Sequence, residues 1–307
     1  MSMLEKKWTV ESDEEKGIVD YLYSCLKIPR GIVRNAVKNN LIGINGKVAS
    51  IDAIVHKGDF IDCIIPESRP RTDAPEDIPL DVVYEDEDIM IINKEKGVAC
   101  HPAPGNYTHT LLNALLFRFP TQKEGKQPRL MHRLDMLTSG LVTVGKNEAA
   151  CKSIGKQLAT HACRRIYTAL ACGVIEQDEG TIDAPIGRDP DNFRRMGVTD
   201  IDSKRAVTHF KVIERFKDAT LVQLELETGR THQIRVHMAY IGHPLVNDGT
   251  YGTLVEGIGF NGQALHASCL MLTHPSTGQE MTFTAPLPEY MEKLIEEKRS
   301  EATQAAC

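Results

Sequence analysis

Apolar positions along the chain change period several times, and each change predicts an element. Ile18, Leu22 and Leu26 stand four apart, one face of a helix. Ser12-Asp13-Glu14-Glu15 ahead of them has the form of a capping box, with Ser12 as cap and Glu15 answering it. Pro29 can open a second helix. In it Ile32, Val33, Ala36 and Val37 make an apolar face, while Arg30, Arg34 and Lys38 stand four apart on another. Asn45-Gly46 predicts a tight turn between short strands at 41–44 and 47–51, and 61–65 reads as a last short strand.

The stretch PESRPRTDAPEDIP, residues 66–79, holds four prolines in fourteen positions. It can continue neither a helix nor a central strand, so it reads as a stiff linker at 67–79. Beyond it strand and helix signals alternate. Strands are expected at 88–93, 141–144, 165–171, 207–213 and 220–226, the last two as alternating runs suited to an antiparallel sheet. Helices are expected at 110–117, at 147–158 with Asn147 as cap, and at 231–241, where His243-Pro244 ends the pattern. The tail after Arg299 is polar and reads as frayed. The expected layout is a small module at 12–66, the linker, and a larger domain at 80–299.

Composition narrows the class. The 307 residues are 41% hydrophobic and 25% charged, with a formal net charge of −6, which suits a globular protein and not one that is basic overall. No window is apolar enough for a membrane span, and the first residues show no targeting signal. The charges are segregated. Residues 21–58 hold six Lys or Arg against one Asp, a local balance of +5 (6 − 1), whereas residues 73–88 hold eight acids and no Lys or Arg. A compact module of one sign is a plausible phosphate-binding surface. The eight cysteines show no C-x-x-C pair and no zinc-type grouping with histidine, so they read as reduced thiols.

Five stretches carry the candidate chemistry: HPAPGNYTHTLLN (101–113), HRLDMLTSGLVTVGK (132–146), RRIYTAL (164–170), TGRTHQIRVHMAYIGHPLVNDGTYG (228–252) and ALHASCLMLTHP (264–275). His232 and His237 are five apart, about 140° around a helix, with no carboxylate at fixed spacing, so a metal site is disfavoured. Arg230, Arg235 and the histidines read instead as donors to phosphate or another polar ligand. Ser139 lies in no G-x-S-x-G elbow, and no glycine-rich nucleotide fingerprint follows a strand. Taken singly, an Asp before Thr-Ser-Gly is usually a turn former, a strand tyrosine is usually packing, and an Arg after Thr-Gly is usually exposed.

The length of the motifs moves the reading off those defaults. HRLD-x-x-TSGL, TGRTHQIRVH followed by GHP, and LHA followed by THP occur in order over residues 80–290. Together they resemble the pseudouridine synthases of the RluA/RluD family. Residues 14–66, with two helices, N-G-K-V and then K-G-D before a strand, resemble the S4 RNA-binding domain. The resemblances imply an α+β fold: a pseudouridine synthase domain on a mixed, mainly antiparallel central sheet, behind a small S4-like α/β module. They imply Asp135 as catalytic carboxylate, Arg230 as its cationic partner and Tyr167 as the catalytic ring stacked on the target base, with a hydroxyl that could take the proton from C5. They imply Arg133 and His132 as RNA contacts, with Gln233, Ile234 and Leu265 lining the pocket and Arg30, Arg34 and Lys38 as the S4 contact stripe. The sequence departs from the family at Met136-Leu137, where a charged pair is frequent, and at Glu95, where proline is common.

The implied reaction isomerises uridine to pseudouridine in structured RNA, 23S-type ribosomal RNA first and transfer RNA second. A glycosidase needs two carboxylates, but an isomerisation whose base never leaves needs one, and Asp135 is the clear candidate. Its apolar neighbours Leu134, Met136 and Leu137 suggest a poorly solvated carboxylate that a facing guanidinium must keep ionised. No metal, no organic cofactor and no membrane are implied. A monomer in the cytoplasm is expected. A non-catalytic RNA-binding assembly factor is the alternative from another class.

Overall fold

The computed structural model describes residues 3–25, 28, 30–38, 41–66, 74–103, 107–120, 128–190, 192 and 195–304. Leu26, Pro29 and residues 67–73 of the expected linker lie outside them. Two compact units emerge, Met1–Arg71 and Thr72–Cys307.

In the first unit, β1 (Met3–Thr9), β2 (Lys16–Gly17), α1 (Ile18–Ser24), α2 (Arg30–Lys38), β3 (Ile42–Ile44), β4 (Lys47–Val48), β5 (Ile54–Val55) and β6 (Phe60–Pro66) follow in order. A four-stranded antiparallel sheet runs β1-β6-β3-β4, and β2 pairs with β5. Ile18 and Leu22 of α1 and Val33, Ala36 and Val37 of α2 are buried in one core with Ile42, Val55 and Ile61. Asn45 and Gly46 both take positive φ, 52° and 74°, as a tight hairpin turn of this type requires.

The expected capping box at Ser12 does not form. Among the described residues Ser12 accepts the Glu14 N–H, and α1 begins six residues later behind Gly17, with no side-chain cap. Pairing of Lys16–Gly17 with β5 draws this segment into a ladder before the helix can start. Strand β1 lies ahead of the expected module; its seven-residue pairing with β6, not a local signal, defines it.

The second unit contains β7 (Val82–Glu85), β8 (Ile89–Lys94), α3 (Leu111–Arg118), β9 (Arg129–Leu130), β10 (Ser139–Gly145), α4 (Glu148–Ala159), β11 (Arg164–Cys172), β12 (Glu179–Asp183), β13 (Ile186–Arg188), β14 (Met196–Val198), β15 (Val207–Arg215), β16 (Ala219–Leu226), α5 (Gln233–Tyr240), β17 (Leu265–Thr273), β18 (Glu280–Thr284) and α6 (Glu289–Gln304). Ten strands form one sheet, ordered β12-β15-β16-β11-β17-β10-β8-β7, with β18 on β17 and β9 on β10. Every described strand pairing within this sheet is antiparallel except β10 with β17. The fold is therefore the mixed, mainly antiparallel α+β arrangement expected.

That one parallel contact joins the two halves of the sheet at Ser139–His266 and Gly140–Ala267. Gly140 has φ 111°, and a β-carbon there would strike the Ala267 backbone, 2.5 Å from its nitrogen. Only glycine fits, which explains the last letter of Thr-Ser-Gly. Asn147 caps α4 as expected, and Thr110, expected as the first residue of its helix, is instead the cap of α3. Residues 74–79 are not a free linker: Asn113 donates to the Ala74 carbonyl at 2.7 Å, and Glu76 accepts the His109 N–H. The polar tail is helical through Gln304, with Met291, Leu294 and Ile295 buried against the sheet domain. No helix among the described residues is long and apolar enough to cross a membrane.

Candidate active site

Asp135 sits in the loop between β9 and β10, and that loop is pinned at nearly every residue. Cys100 Sγ accepts the Leu134 N–H at 3.3 Å, and the Gly97 N–H donates to the Met136 carbonyl at 2.8 Å. Gln263 Nε2 donates to Thr138 Oγ1 at 2.8 Å. Beneath it lies Lys94, only 2% exposed, whose ammonium donates to the carbonyls of Val98 (2.7 Å), Glu95 (2.8 Å) and Met136 (3.3 Å). Burial pulls the Lys94 amine down to about 8, while nearby acidic groups, Asp135 among them, oppose that shift. Fixed donors and acceptors of this kind hold a reactive side chain without reorganisation.

The cationic partner of Asp135 is Arg235, not Arg230. Arg235 Nη1 donates to Asp135 Oδ2 at 3.0 Å, and Arg235 Nε and Nη2 donate to Asp248 Oδ2 and Oδ1 at 2.7 and 2.8 Å. Arg235 stands in the first turn of α5, and its side chain is buried. Burial opposes the guanidinium charge, but the bonds and charges of Asp248 and then Asp135 outweigh it and hold its pKa well above the usual range. Asp248 has no exposed surface and also accepts the Thr250 and Tyr251 N–H groups. Burial pushes its pKa up, and Arg235 with these N–H groups more than reverses that. Arg230 precedes the helix in an open turn, where its Nε donates to the Arg205 carbonyl at 2.9 Å. A helix that starts at Gln233 turns residue 235 inward and leaves 230 on the approach to it.

His232 completes the edge of the site. Its Nε2 is 3.8 Å from Asp135 Oδ2, and its Nδ1 is 2.8 Å from the Tyr251 hydroxyl, which accepts the Met196 N–H at 3.1 Å. Burial lowers its pKa despite Asp135, which favours a neutral ring.

The carboxylate faces a cleft of about 430 Å³, within the size range of small-ligand sites. Tyr167, Ile234 and Leu265 supply its apolar wall, each buried. Opposite Tyr167 the pairing of β11 with β17 slips, so that Ala267 and Ser268 oppose the one tyrosine; a bulge of this kind re-aims side chains at a sheet interior. Burial raises the Tyr167 phenol to about 12, so it stays protonated at neutral pH.

Other expected contacts resolve differently. Arg133 is exposed at the rim, and its Nη2 donates to Thr231 Oγ1 at 2.5 Å. His132 turns inward: its Nε2 accepts the Thr143 N–H at 3.1 Å, and burial with the Arg165 charge pushes it down to about 3. It anchors the loop and also lines the cleft. Gln233 lines the cleft as expected, and its amide is held by Val207, Thr208, Thr228 and the Arg230 N–H, closing the turn before α5. His237 bonds Thr208 and the Ala184 carbonyl, and His243 bonds the Cys172 carbonyl. Among the described residues no three metal-type side chains converge. In the first unit Arg30 is paired with Asp20 and lies over the Tyr23 ring, 3.8 Å from its centre, while Arg34 and Lys38 are exposed with no carboxylate partner among the described residues.

A family profile described as RNA pseudouridylate synthase matches residues 88–240. The chain is 47% identical over 271 residues to an uncharacterized RNA pseudouridine synthase, YlyB, of Bacillus subtilis, covering 87% of this chain and 88% of that protein. The chain belongs to the RluA/RluD family of RNA pseudouridine synthases. It is also 40% identical to the ribosomal large subunit pseudouridine synthase D of Pasteurella multocida, over 87% of this chain and 86% of that one. The solved structure of human RNA pseudouridylate synthase domain containing 1 superposes with a TM-score of 0.56 at 26% identity, covering 76% of this chain and 98% of the human one. The synthase is an isomerase that converts uridine in RNA to pseudouridine, and Asp135, Arg235 and Tyr167 meet at its cleft. Asp248 and Lys94 went unnoticed in the sequence. Asp248 lies in V-N-D-G, which looks like a plain turn, and Lys94 in N-K-E-K, which looks like a surface run.

Proposed function

We propose that this synthase modifies uridines of large-subunit ribosomal RNA in the cytoplasm, acting as a monomer without cofactor, with Asp135 as the carboxylate that drives the reaction. The ribosomal target is supported by relatives named ribosomal large subunit pseudouridine synthase D, from Pasteurella multocida among others. The observation that carries the chemistry is the Asp135–Arg235 ion pair at 3.0 Å, facing a cleft walled by Tyr167.

The reaction breaks the N1–C1′ bond of a uridine, turns the base and forms C5–C1′; the proton on C5 leaves to solvent and the freed N1 takes one up, so the product is an isomer. No water is consumed. Everting the nucleotide costs a few kcal/mol, and stacking on Tyr167 returns about 1–3 kcal/mol per base. Tyr167 acts through its ring, and a phenol that burial keeps protonated is a poor acceptor for the C5 proton. Arg235 supplies the counter-charge to the carboxylate, 3.0 Å away, in a site where a lone charge is costly. Arg133 and Arg230, with guanidinium groups toward the mouth, suit contacts to the RNA backbone. The first unit acts as an S4-like module (residues 12–66, after strand β1) that meets RNA through Arg34 and Lys38.

The test maps pseudouridines in ribosomal and transfer RNA from cells with the gene, without it, and with Asp135→Asn restored. Large-subunit positions lost on deletion and not recovered by Asp135→Asn support the reading. Loss confined to transfer RNA overturns the ribosomal target, and full recovery by Asp135→Asn overturns the role of the carboxylate.

A further inference from the structure

Arg165 is a buried cation without a counter-charge. It is 8% exposed, and its Nε is sealed from solvent without a hydrogen-bond partner. Among the described residues its guanidinium makes one hydrogen bond, a long one of 3.5 Å from Nη2 to the Thr228 carbonyl, and no carboxylate pairs with it. A buried charge left in this state costs free energy unless something completes it. The other buried guanidinium of the cleft, Arg235, has two carboxylates. Arg165 has none, yet it lines the cleft.

Its position specifies what is missing. Arg165 and Tyr167 are two apart on β11 and share the buried face of that strand, about 7 Å from one another along it. That separation is on the scale of one nucleotide, from base to backbone. Across the cleft, the turn at 228–230 comes close because residue 229 is glycine: a β-carbon there would lie 2.9 Å from Arg165 Nη1. We propose that Arg165 binds the phosphodiester beside the uridine whose base stacks on Tyr167, so that base and phosphate of one nucleotide are held by alternate residues of one strand. The inference rests on the RNA-modifying reading above. A planar guanidinium suits a phosphate through two parallel N–H bonds, and the negative ligand supplies the charge that the folded protein lacks.

The experiment compares wild type with Arg165→Met, Arg165→Lys and Gly229→Ala. The probe is an unmodified transcript of large-subunit ribosomal RNA, with affinity measured across a potassium chloride series and Tm measured on the free proteins. Arg165→Met is expected to lose about ten- to a hundredfold in affinity. The slope of log K against log salt falls by about one phosphate contact, roughly 0.7–0.9. Its Tm stays level or rises, because an uncompensated charge has gone. Gly229→Ala displaces only the end of a flexible side chain, so it keeps its fold and shows a smaller loss of affinity, and Arg165→Lys falls between. An unchanged salt slope in Arg165→Met, or a lowered Tm with affinity intact, assigns Arg165 to structure and overturns the proposal. If wild type modifies no uridine in any RNA, the functional reading fails instead, while the slopes still report whether Arg165 meets a phosphate.

Discussion

Asp248 grips Arg235 through Nε and Nη2, which leaves Nη1 as the nitrogen that reaches Asp135. The carboxylate proposed to drive the reaction is thus aimed by a second carboxylate that lies wholly out of solvent. Asp248→Asn keeps the shape but weakens the grip, so single-turnover isomerisation should fall about 10- to 100-fold with RNA affinity little changed. Asp248→Ala leaves a buried guanidinium half-paired, and its unfolding free energy should drop by about 3–5 kcal/mol. A full-rate Asp248→Asn enzyme would show that this arrangement is dispensable.

Arg235 and Arg230 should separate cleanly. Arg235→Lys cannot bond two carboxylates from one planar group, so its loss appears in the isomerisation step. Arg230→Ala removes a guanidinium in the turn before α5 and should weaken RNA binding with a near-normal rate once bound. A double-mutant cycle of Asp135→Asn with Arg235→Gln should be strongly non-additive, and the same cycle with Arg230→Ala nearly additive.

Tyr167→Phe keeps the ring and should retain most activity, whereas Tyr167→Ala forfeits stacking worth about 1–3 kcal/mol and should lose ten- to a hundredfold in turnover. Loss of C5 tritium release in the Phe variant, with normal RNA binding, would falsify the view that the hydroxyl is not the base.

Gly140→Ala is expected to unfold the sheet domain or cost more than about 3 kcal/mol, because its β-carbon meets Ala267 backbone and φ 111° is closed to other residues. Urea titration of Gly140→Ala beside Gly155→Ala, whose nearest neighbour is 4.0 Å away, measures the contrast.

Acid stability has a local source. Burial pushes the Asp86 carboxyl up, but N–H groups of Ile89 and Asp88, the Tyr84 hydroxyl and His274 together bring it down to about 2 from an ordinary 3.8. A folded pKa below the unfolded one gives stability that is full above 3.8 and lost as pH falls toward 2. Asp86→Asn should therefore be less stable than wild type by about 2 kcal/mol at pH 7, with the gap closing by pH 2. Melting curves at pH 7, 4 and 2 check it, and a gap that does not narrow counts against this origin.

The catalytic candidates were legible unevenly. Asp135 and Tyr167 could be located because each lies in a long motif whose letters are fixed by their surroundings, as Gly140 demonstrates. The partner arginine could not: TGRTHQIRVH offers two, and only the start of α5 at Gln233 decides which one turns inward. Asp248 and Lys94 act through contacts 13 and 42 residues distant, to Arg235 and Met136, which no local pattern encodes. Helices with a cap in sequence, α3 and α4, were found nearly to the residue. Strand β1 and helix α6 were missed, since partners elsewhere in the chain define them.

The cleft borrows from late in the chain: Asp248 for the arginine, Gln263 for the Asp135 loop, and β17 for the joint at Gly140. A ribosome making this synthase has therefore produced HRLD and RIY long before either can work. The ion pairs from Asp248 through Arg235 to Asp135, the Gln263 brace and the joint at Gly140 are complete only once the chain through β17, which ends at Thr273, has been made.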